Sequence, residues 1–154
     1  MLYKSMVTAL AFGFSQNAFC QWEFSESVDP MTDSKIQVVS AMAEGESPRY
    51  RPKSMFVRCK NGKLDVIMLW SAYLGDNRRM LVRFDKLDPD SQVWSSSADK
   101  TGLFSQDPSA FVDMLKKHTT LAAQVTPYSK SPVTVVYDLK GFSEKAAKLD
   151  PSCK

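Results

Sequence analysis

The chain has 154 residues, no low-complexity segment and no internal repeat, and its formal net charge is +3. This length fits one domain that is long enough for a real core. The charge is mild and mixed in sign along the chain, which argues against a nucleic-acid-binding protein, where a basic stripe is expected.

Residues 1–20 have the order of segments found in a secretory signal peptide. Lys4 supplies a positive charge, an apolar stretch covers residues 6–14, and Ala18-Phe19-Cys20 places small residues three and one before Gln21. That order is typical of export signals. The apolar stretch is far shorter than the roughly 18 residues needed to span a bilayer, so no transmembrane segment is expected in the mature chain.

We therefore predict cleavage after Cys20 and a single exported, β-rich domain of residues 21–154, in the periplasm or secreted. A buried N-terminal helix is the alternative for the apolar stretch. Lipidation of Cys20 is another alternative, although that signal prefers a small residue where this chain has Phe19.

Removal of Cys20 leaves two cysteines, Cys59 and Cys153. Two cysteines in an exported chain suggest one disulfide. The bond would close a loop of roughly 95 residues and stabilise the fold by up to about 4–5 kcal/mol in the chain-entropy model. Two independent buried thiols are the alternative.

The mature chain is predicted to be a series of strands separated by turns. Asn61-Gly62 is its strongest hairpin signal, because a type I′ turn needs positive φ at both central residues. Residues 64–70 are apolar on nearly both faces, which favours a place in the middle of a sheet. The strand pattern covers residues 22–25, 36–43, 55–59, 64–70, 80–85, 92–96, 121–126 and 133–139.

One segment changes to a helical period. Asp107 is suited to the N-cap and Pro108 to the first turn, and an apolar stripe follows at Phe111, Met114, Leu115 and His118. A short terminal helix is expected over residues 143–149. The predicted fold is mainly β, of the α+β type: an antiparallel β-sandwich or curled sheet with one packed helix and a short C-terminal helix.

The sequence selects no catalytic residue. His118 is the only histidine, and its place on the apolar stripe near a helix C-terminus favours a partly buried structural role. The serines of residues 95–97 lack the pattern around a nucleophile and fit the polar end of a strand. Paired carboxylates for glycoside hydrolysis need only be close in space, and no such pair is singled out.

No metal or cofactor site is predicted either. One histidine and two cysteines expected to be oxidised cannot supply a zinc site. Asp85, Asp88 and Asp90 resemble an oxygen-ligand cluster, but they lack the spacing and closing Glu of a calcium loop, so solvated turn carboxylates are favoured. The glycines are scattered and form no phosphate-binding loop.

The three tryptophans are candidates for ligand stacking. Core packing is favoured for each, because an indole buries a large area. Trp22 and Trp94 lie nearer polar residues than Trp70 does, so surface contacts are the alternative for those two.

Several segments, in order, resemble the VasI/TagO-like proteins associated with type VI secretion, small exported proteins whose close relatives also occur outside secretion clusters. The resemblance spans most of the mature chain. It rests on Trp22, Asp29-Pro30-Met31-Thr32-Asp33, Val57-Arg58-Cys59, Leu81-Val82-Arg83-Phe84-Asp85, Trp94-Ser95-Ser96, Tyr137-Asp138-Leu139-Lys140-Gly141-Phe142 and Cys153.

The resemblance implies an accessory envelope role with a protein partner in the envelope or secretion apparatus, and no transferable catalytic residue. It also implies that Cys59 and Cys153 form the structural disulfide of the family. Arg83 and Asp85, two apart on a predicted strand, would share a face as an ion pair or, with Trp94, contribute to a partner surface. The expected function is a non-enzymatic exported binding protein; a small cell-wall hydrolase and an exported enzyme inhibitor are the alternatives.

Overall fold

The structure is a computed structural model that describes residues 21–46 and 51–154. The predicted signal peptide, with Cys20, lies outside the described residues. Within them the chain forms strands and helices in the order β1 (Glu23–Val28), β2 (Lys35–Met42), β3 (Ser54–Lys60), β4 (Lys63–Leu69), β5 (Arg79–Phe84), β6 (Asp90–Val93), β7 (Ser95–Ser96), β8 (Gly102–Phe104), α1 (Pro108–Lys117), β9 (Thr120–Val125), β10 (Val133–Asp138) and α2 (Phe142–Ala146).

The strands form two antiparallel sheets. The larger has the order β1-β2-β3-β4-β8-β7, and the smaller has the order β10-β9-β5-β6. Buried side chains from both sheets and from α1 meet in one hydrophobic core, with Val57 from the larger sheet, Val82 from the smaller and Leu115 from the helix among them. The predicted mainly β fold with one packed helix and a short C-terminal helix is confirmed.

The hairpin between β3 and β4 turns at the predicted residues. Asn61 and Gly62 have φ values of 52° and 73°, and Lys60 pairs with Lys63 across the turn. Both central residues are left-handed, as a type I′ turn requires. The apolar strand β4 lies inside the larger sheet between β3 and β8, which confirms its predicted central position.

The single strand predicted over residues 92–96 is wrong. The segment is divided between the sheets, because β6 pairs with β5 in the smaller sheet while β7 pairs with β8 in the larger one. Trp94 lies at the crossover and is 1% exposed. Burial of this indole holds the chain in the core where it leaves one sheet for the other.

Helix α1 begins as predicted. The Asp107 side chain accepts a hydrogen bond from the Ala110 backbone N–H at 3.0 Å, and Phe111 and Leu115 are buried. Helix α2 begins after Gly141, whose φ is 85°, and is shorter than the predicted residues 143–149.

Cys59 and Cys153 form the predicted disulfide, with Cα atoms 5.8 Å apart across 94 positions of sequence. It joins the C-terminal tail to β3. Such bonds persist in oxidising compartments, so the bond agrees with an extracytoplasmic location. None of the helices within the described residues is long and apolar enough to cross a membrane.

Candidate functional site

An open groove lies between α1 and the hairpin of β5 and β6. It encloses about 460 Å³, a volume within the usual range of ligand sites. Its wall is formed by the inner face of this hairpin, the turn after β5, the segment before α1 and one face of the helix. The lining residues are Val82, Phe84, Leu87, Asp88, Asp90, Gln92, Val93, Trp94, Ser105, Gln106, Asp107, Ala110, Phe111 and Met114.

Aromatic rings form the floor of this groove. The Phe111 ring lies 5.0 Å from the Trp94 ring in an edge-on arrangement and 5.6 Å from the Phe84 ring. All three side chains are at least 95% buried. We call Phe84, Trp94 and Phe111 the aromatic floor. Because these rings pack on one another, the groove has a closely packed apolar base.

Carboxylates lie along the opening of the groove. Asp88, Asp90 and Asp107, which we call the acidic rim, are all exposed, and no lysine or arginine is among the lining residues. Asp107 caps α1, and Asp90 accepts a hydrogen bond from the Gln92 amide at 2.9 Å. No ion pair between described residues involves any of the three, so the groove is negative in a chain of positive net charge.

Gln92 connects the rim to the floor. Its amide nitrogen donates to Asp90, and its amide oxygen accepts the Trp94 indole N–H at 2.9 Å. Both polar ends of the side chain are therefore satisfied within the β6 segment, and the buried indole keeps a hydrogen-bond partner.

Asp85 and His118 form a junction beside the groove. One Asp85 oxygen lies 2.8 Å from His118 Nδ1, and the other accepts hydrogen bonds from the backbone N–H groups and hydroxyls of Thr119 and Thr120. The Thr119 hydroxyl, then His118, then these backbone N–H groups hold the pKa of Asp85 well below its usual range. The junction links the end of β5 to α1 and β9.

This arrangement contains two members of a nucleophilic triad, an acid and a histidine. Among the described residues, no serine or cysteine side chain forms a hydrogen bond with the His118 ring. The ring packs on Phe84 with centroids 5.2 Å apart. The contacts therefore support the partly buried structural role expected for His118.

Arg83 and Asp85 do not form the expected ion pair with each other within the described residues. Asp85 follows β5 with a φ of 49° and turns toward β9, because five hydrogen bonds hold its carboxylate there. Arg83 is exposed and donates to the Leu87 carbonyl oxygen at 2.8 Å, which closes the turn after β5. Since Trp94 is buried, these three residues do not make one exposed surface.

Burial of Trp22, Trp70 and Trp94, each at most 3% exposed, confirms the core interpretation and excludes an exposed position for Trp22 and Trp94. The Trp22 indole N–H donates to the Asp138 carbonyl oxygen at 2.8 Å and so links the start of β1 to the end of β10. Trp94 is nevertheless part of the site, because its ring forms part of the groove's floor.

The remaining candidates have local roles. Ser97 accepts the Gly102 backbone N–H at 2.9 Å and donates to Asp99 at 2.6 Å, so it closes the turn before β8. Over residues 21–46 and 51–154, no group of three or more histidine, cysteine or acidic side chains is arranged to hold a metal ion. Asp85 forms its hydrogen bonds with residues 118–120, while Asp88 and Asp90 line the groove.

No family model, no curated protein and no solved structure matches this chain. The resemblance to VasI/TagO-like proteins stays a prediction from its motifs.

Proposed function

We propose that this protein is an exported binding module that works as a non-enzymatic accessory protein of the bacterial envelope. The observation that carries the proposal is the open groove of about 460 Å³ with its aromatic floor and acidic rim. A preformed concave site of this kind, apolar with a few polar groups at its edge, is typical of recognition sites. His118, the single histidine of the sequence, and the Asp85 carboxylate bond to each other and join α1 to β5 and β9.

Export is supported by two independent features. Residues 1–20 have the order of a signal peptide, and the Cys59–Cys153 disulfide suits an oxidising compartment. Expression of the complete chain in a bacterium with a periplasm tests this part. We expect the periplasmic protein to have the mass of residues 21–154; retention of residues 1–20 in the cytoplasm would contradict it.

The partner is proposed to be a protein of the envelope, with a type VI secretion component as the specific candidate from the resemblance. The test is a pulldown from periplasmic extract with the exported protein as bait. Ala110 is exposed and lines the groove, so Ala110→Trp should fill it without disturbing the core. Ser109→Trp is the matched control, since Ser109 is an exposed neighbour that does not line the groove.

We expect the wild type and Ser109→Trp to recover the same envelope protein and Ala110→Trp to lose it. Recovery of nothing above background, or equal recovery by both variants, would count against a binding role for the groove. If the recovered protein is an enzyme, an activity assay with and without the module distinguishes an exported inhibitor from an accessory protein.

A carboxylate hydrolase is the second candidate, because Asp88, Asp90 and Asp107 line one groove. Glycoside hydrolysis requires a pair of carboxyl groups on either side of the scissile bond. Incubation of the purified protein with peptidoglycan, followed by analysis of soluble fragments, tests it. Fragments released by the wild type but not by Asp88→Asn or Asp90→Asn would favour the hydrolase over the binding module.

A further inference from the structure

Among the residues that the structure describes, strand β6 is the open edge of the smaller sheet. It pairs with β5 on one side and is last in the strand order on the other. Three of its four residues, Asp90, Ser91 and Val93, are exposed. An unpaired edge is a template to which an extended segment of another chain can add as a strand.

The register shows which backbone groups face this edge. Trp94 donates its backbone N–H to the Arg78 carbonyl oxygen at 2.9 Å, and Gln92 pairs with Met80. In an antiparallel ladder the polar groups of alternate residues point to the same side. The backbone groups of Ser91 and Val93 therefore point away from β5, toward the open edge.

The groove lies under the same edge. Gln92 and Trp94, alternate residues whose side chains share the inner face, both line it. A strand added to β6 would continue that inner face, so every second side chain of the added strand would point toward α1. Leu87, at 52% exposed, and Met114 give the groove an apolar wall for such a side chain.

The negative charge of the acidic rim determines which kind of segment can bind. The acidic rim has three carboxylates and no cation among the lining residues, so it favours lysine or arginine side chains and disfavours acidic ones. A second copy of this chain offering its own β6 would bring two acidic rims together, and like charges repel. The charge therefore favours a basic segment of a different protein over self-association.

We infer that β6 and the groove bind an extended, basic segment of a partner protein, which adds to β6 as a strand and places an apolar side chain over the aromatic floor. This inference rests on the binding function proposed above and names the chemistry of its partner. Backbone pairing would supply much of the affinity, and the rim and groove would supply the specificity.

The test begins with selection of short random peptides displayed on phage, with the exported full-length protein as target. We expect the selected peptides to be enriched in lysine, arginine and apolar residues, and to be depleted of acidic residues and proline. Binding of one selected peptide is then measured by fluorescence anisotropy at low salt. A selected set without a basic excess would overturn the inference.

Charge is tested with two matched double variants. Asp88→Asn with Asp90→Asn removes two rim charges, whereas Asp33→Asn with Asp113→Asn removes two exposed charges outside the groove. We expect about tenfold weaker binding by the first pair, as for two exposed ion pairs, and unchanged binding by the second. Equal affinities for both variants would overturn the inference.

Strand addition is tested at the backbone. Val93→Pro removes a backbone N–H that points to the open edge, a position where proline is tolerated. We expect it to abolish peptide binding with little change in thermal stability. If this variant unfolds, N-methylation of alternate residues in the peptide tests the same hydrogen bonds: loss of binding in one of the two alternations supports the inference, and no loss in either contradicts it.

The outcomes separate this inference from the proposed function. If Ala110→Trp no longer recovers the envelope partner but the selected peptides show no excess of basic residues, the groove is a binding site and the added basic strand is rejected. Sedimentation tests the other occupant. If the wild type is a dimer and Val93→Pro is a monomer, a second copy of the chain occupies the edge, and the inference of a basic partner segment is rejected. Peptide binding without any envelope partner would reject the accessory role alone.

Discussion

The Asp85 carboxylate lies 2.8 Å from Nδ1 of His118, and this contact joins the end of β5 to the C-terminal end of α1. The other oxygen of the same carboxylate accepts the backbone N–H groups of Thr119 and Thr120 at 2.9 Å each. The Asp85 side chain thus bonds both to the end of α1 and to the start of β9. These bonds hold the helix beside the groove. The ionised form of Asp85 is the form that accepts all these hydrogen bonds.

Asp85 is therefore expected to make stability depend on pH. Its pKa is lower in the folded protein than in the unfolded chain, so its stabilisation is present above the unfolded value and is lost as pH falls below about 4. We expect Asp85→Asn to lower the unfolding temperature at neutral pH. The difference from the wild type should shrink on acidification.

Thermal unfolding followed by circular dichroism at neutral and acidic pH measures this difference. Asp88→Asn is the control, because Asp88 is exposed and forms no hydrogen bond with a described residue. Comparison with the wild type at each pH removes the contribution of other carboxylates, such as Asp29 and Asp99, whose pKa values are also lowered by hydrogen bonds. A loss that is the same at both pH values would show that the role of Asp85 does not depend on its charge.

Local signals in the sequence predicted the local structure well. The Asn61-Gly62 turn, the Asp107 cap and the alternation in β10 depend on residues close in the chain, and each is found in the structure. In β10 the alternation buries Val135 and Tyr137 and leaves Val136 at the surface. The disulfide was predictable because a signal peptide ending at Cys20, as the sequence predicts, leaves one possible pair.

Features that depend on distant contacts were not predictable. Nothing near residues 92–96 shows that the chain changes sheets at Trp94, and the three residues of β8 are too short for a periodic pattern. The acidic rim joins Asp88 and Asp90 to Asp107, which the sequence presents separately as turn residues and a helix cap. The packing of Phe111 of α1 against Phe84 and Trp94 brings them to one groove.

Loss of the disulfide is expected to destabilise the fold strongly. The bond closes a loop across 94 positions, and removing a native disulfide from a small exported domain typically costs about 2–5 kcal/mol. We expect Cys59→Ser with Cys153→Ser to reduce the free energy of unfolding in urea by this amount. Reduced wild type should match this double variant, and the variant itself should not respond to reductant.

Alkylation under denaturing conditions provides an independent measurement on protein recovered from the periplasm. With Cys20 removed and the disulfide intact, the unreduced protein should take up no label and the reduced protein should take up two. Uptake of two labels before reduction would contradict the bond. Uptake of one label before reduction would show that Cys20 is retained as a free thiol.

Two buried tryptophans allow the energetic effect of losing a hydrogen bond to be distinguished from the effect of losing ring volume. The Trp22 indole N–H donates to the Asp138 carbonyl oxygen, whereas the Trp70 indole N–H has no partner among the described residues. Phenylalanine removes similar volume at both positions. We expect Trp22→Phe to cost about 1–2 kcal/mol more than Trp70→Phe, the usual effect of leaving a buried acceptor without its donor.

Urea unfolding of both variants measures the difference, and near-identical slopes would show that the two variants expose similar surface on unfolding. Since Trp22 links the first strand to the last, hydrogen exchange of β10 should also increase in Trp22→Phe and not in Trp70→Phe. If Trp70→Phe proves the more destabilising variant, shape complementarity at Trp70 outweighs the Trp22 hydrogen bond.

The β3–β4 hairpin is expected to depend on glycine at position 62 for backbone reasons alone. Gly62 has a φ of 73°, and an added Cβ would lie 3.9 Å from its nearest neighbour, the Ser152 carbonyl oxygen, which is an ordinary contact. Left-handed backbone costs an L-residue roughly 1–2 kcal/mol, so Gly62→Ala should lower the free energy of unfolding by about that amount. Gly62→Asn should cost less, because asparagine tolerates this conformation better than alanine does. Urea unfolding of the two variants checks the order; equal losses would place the cause in the contact with the C-terminal tail instead of in the backbone.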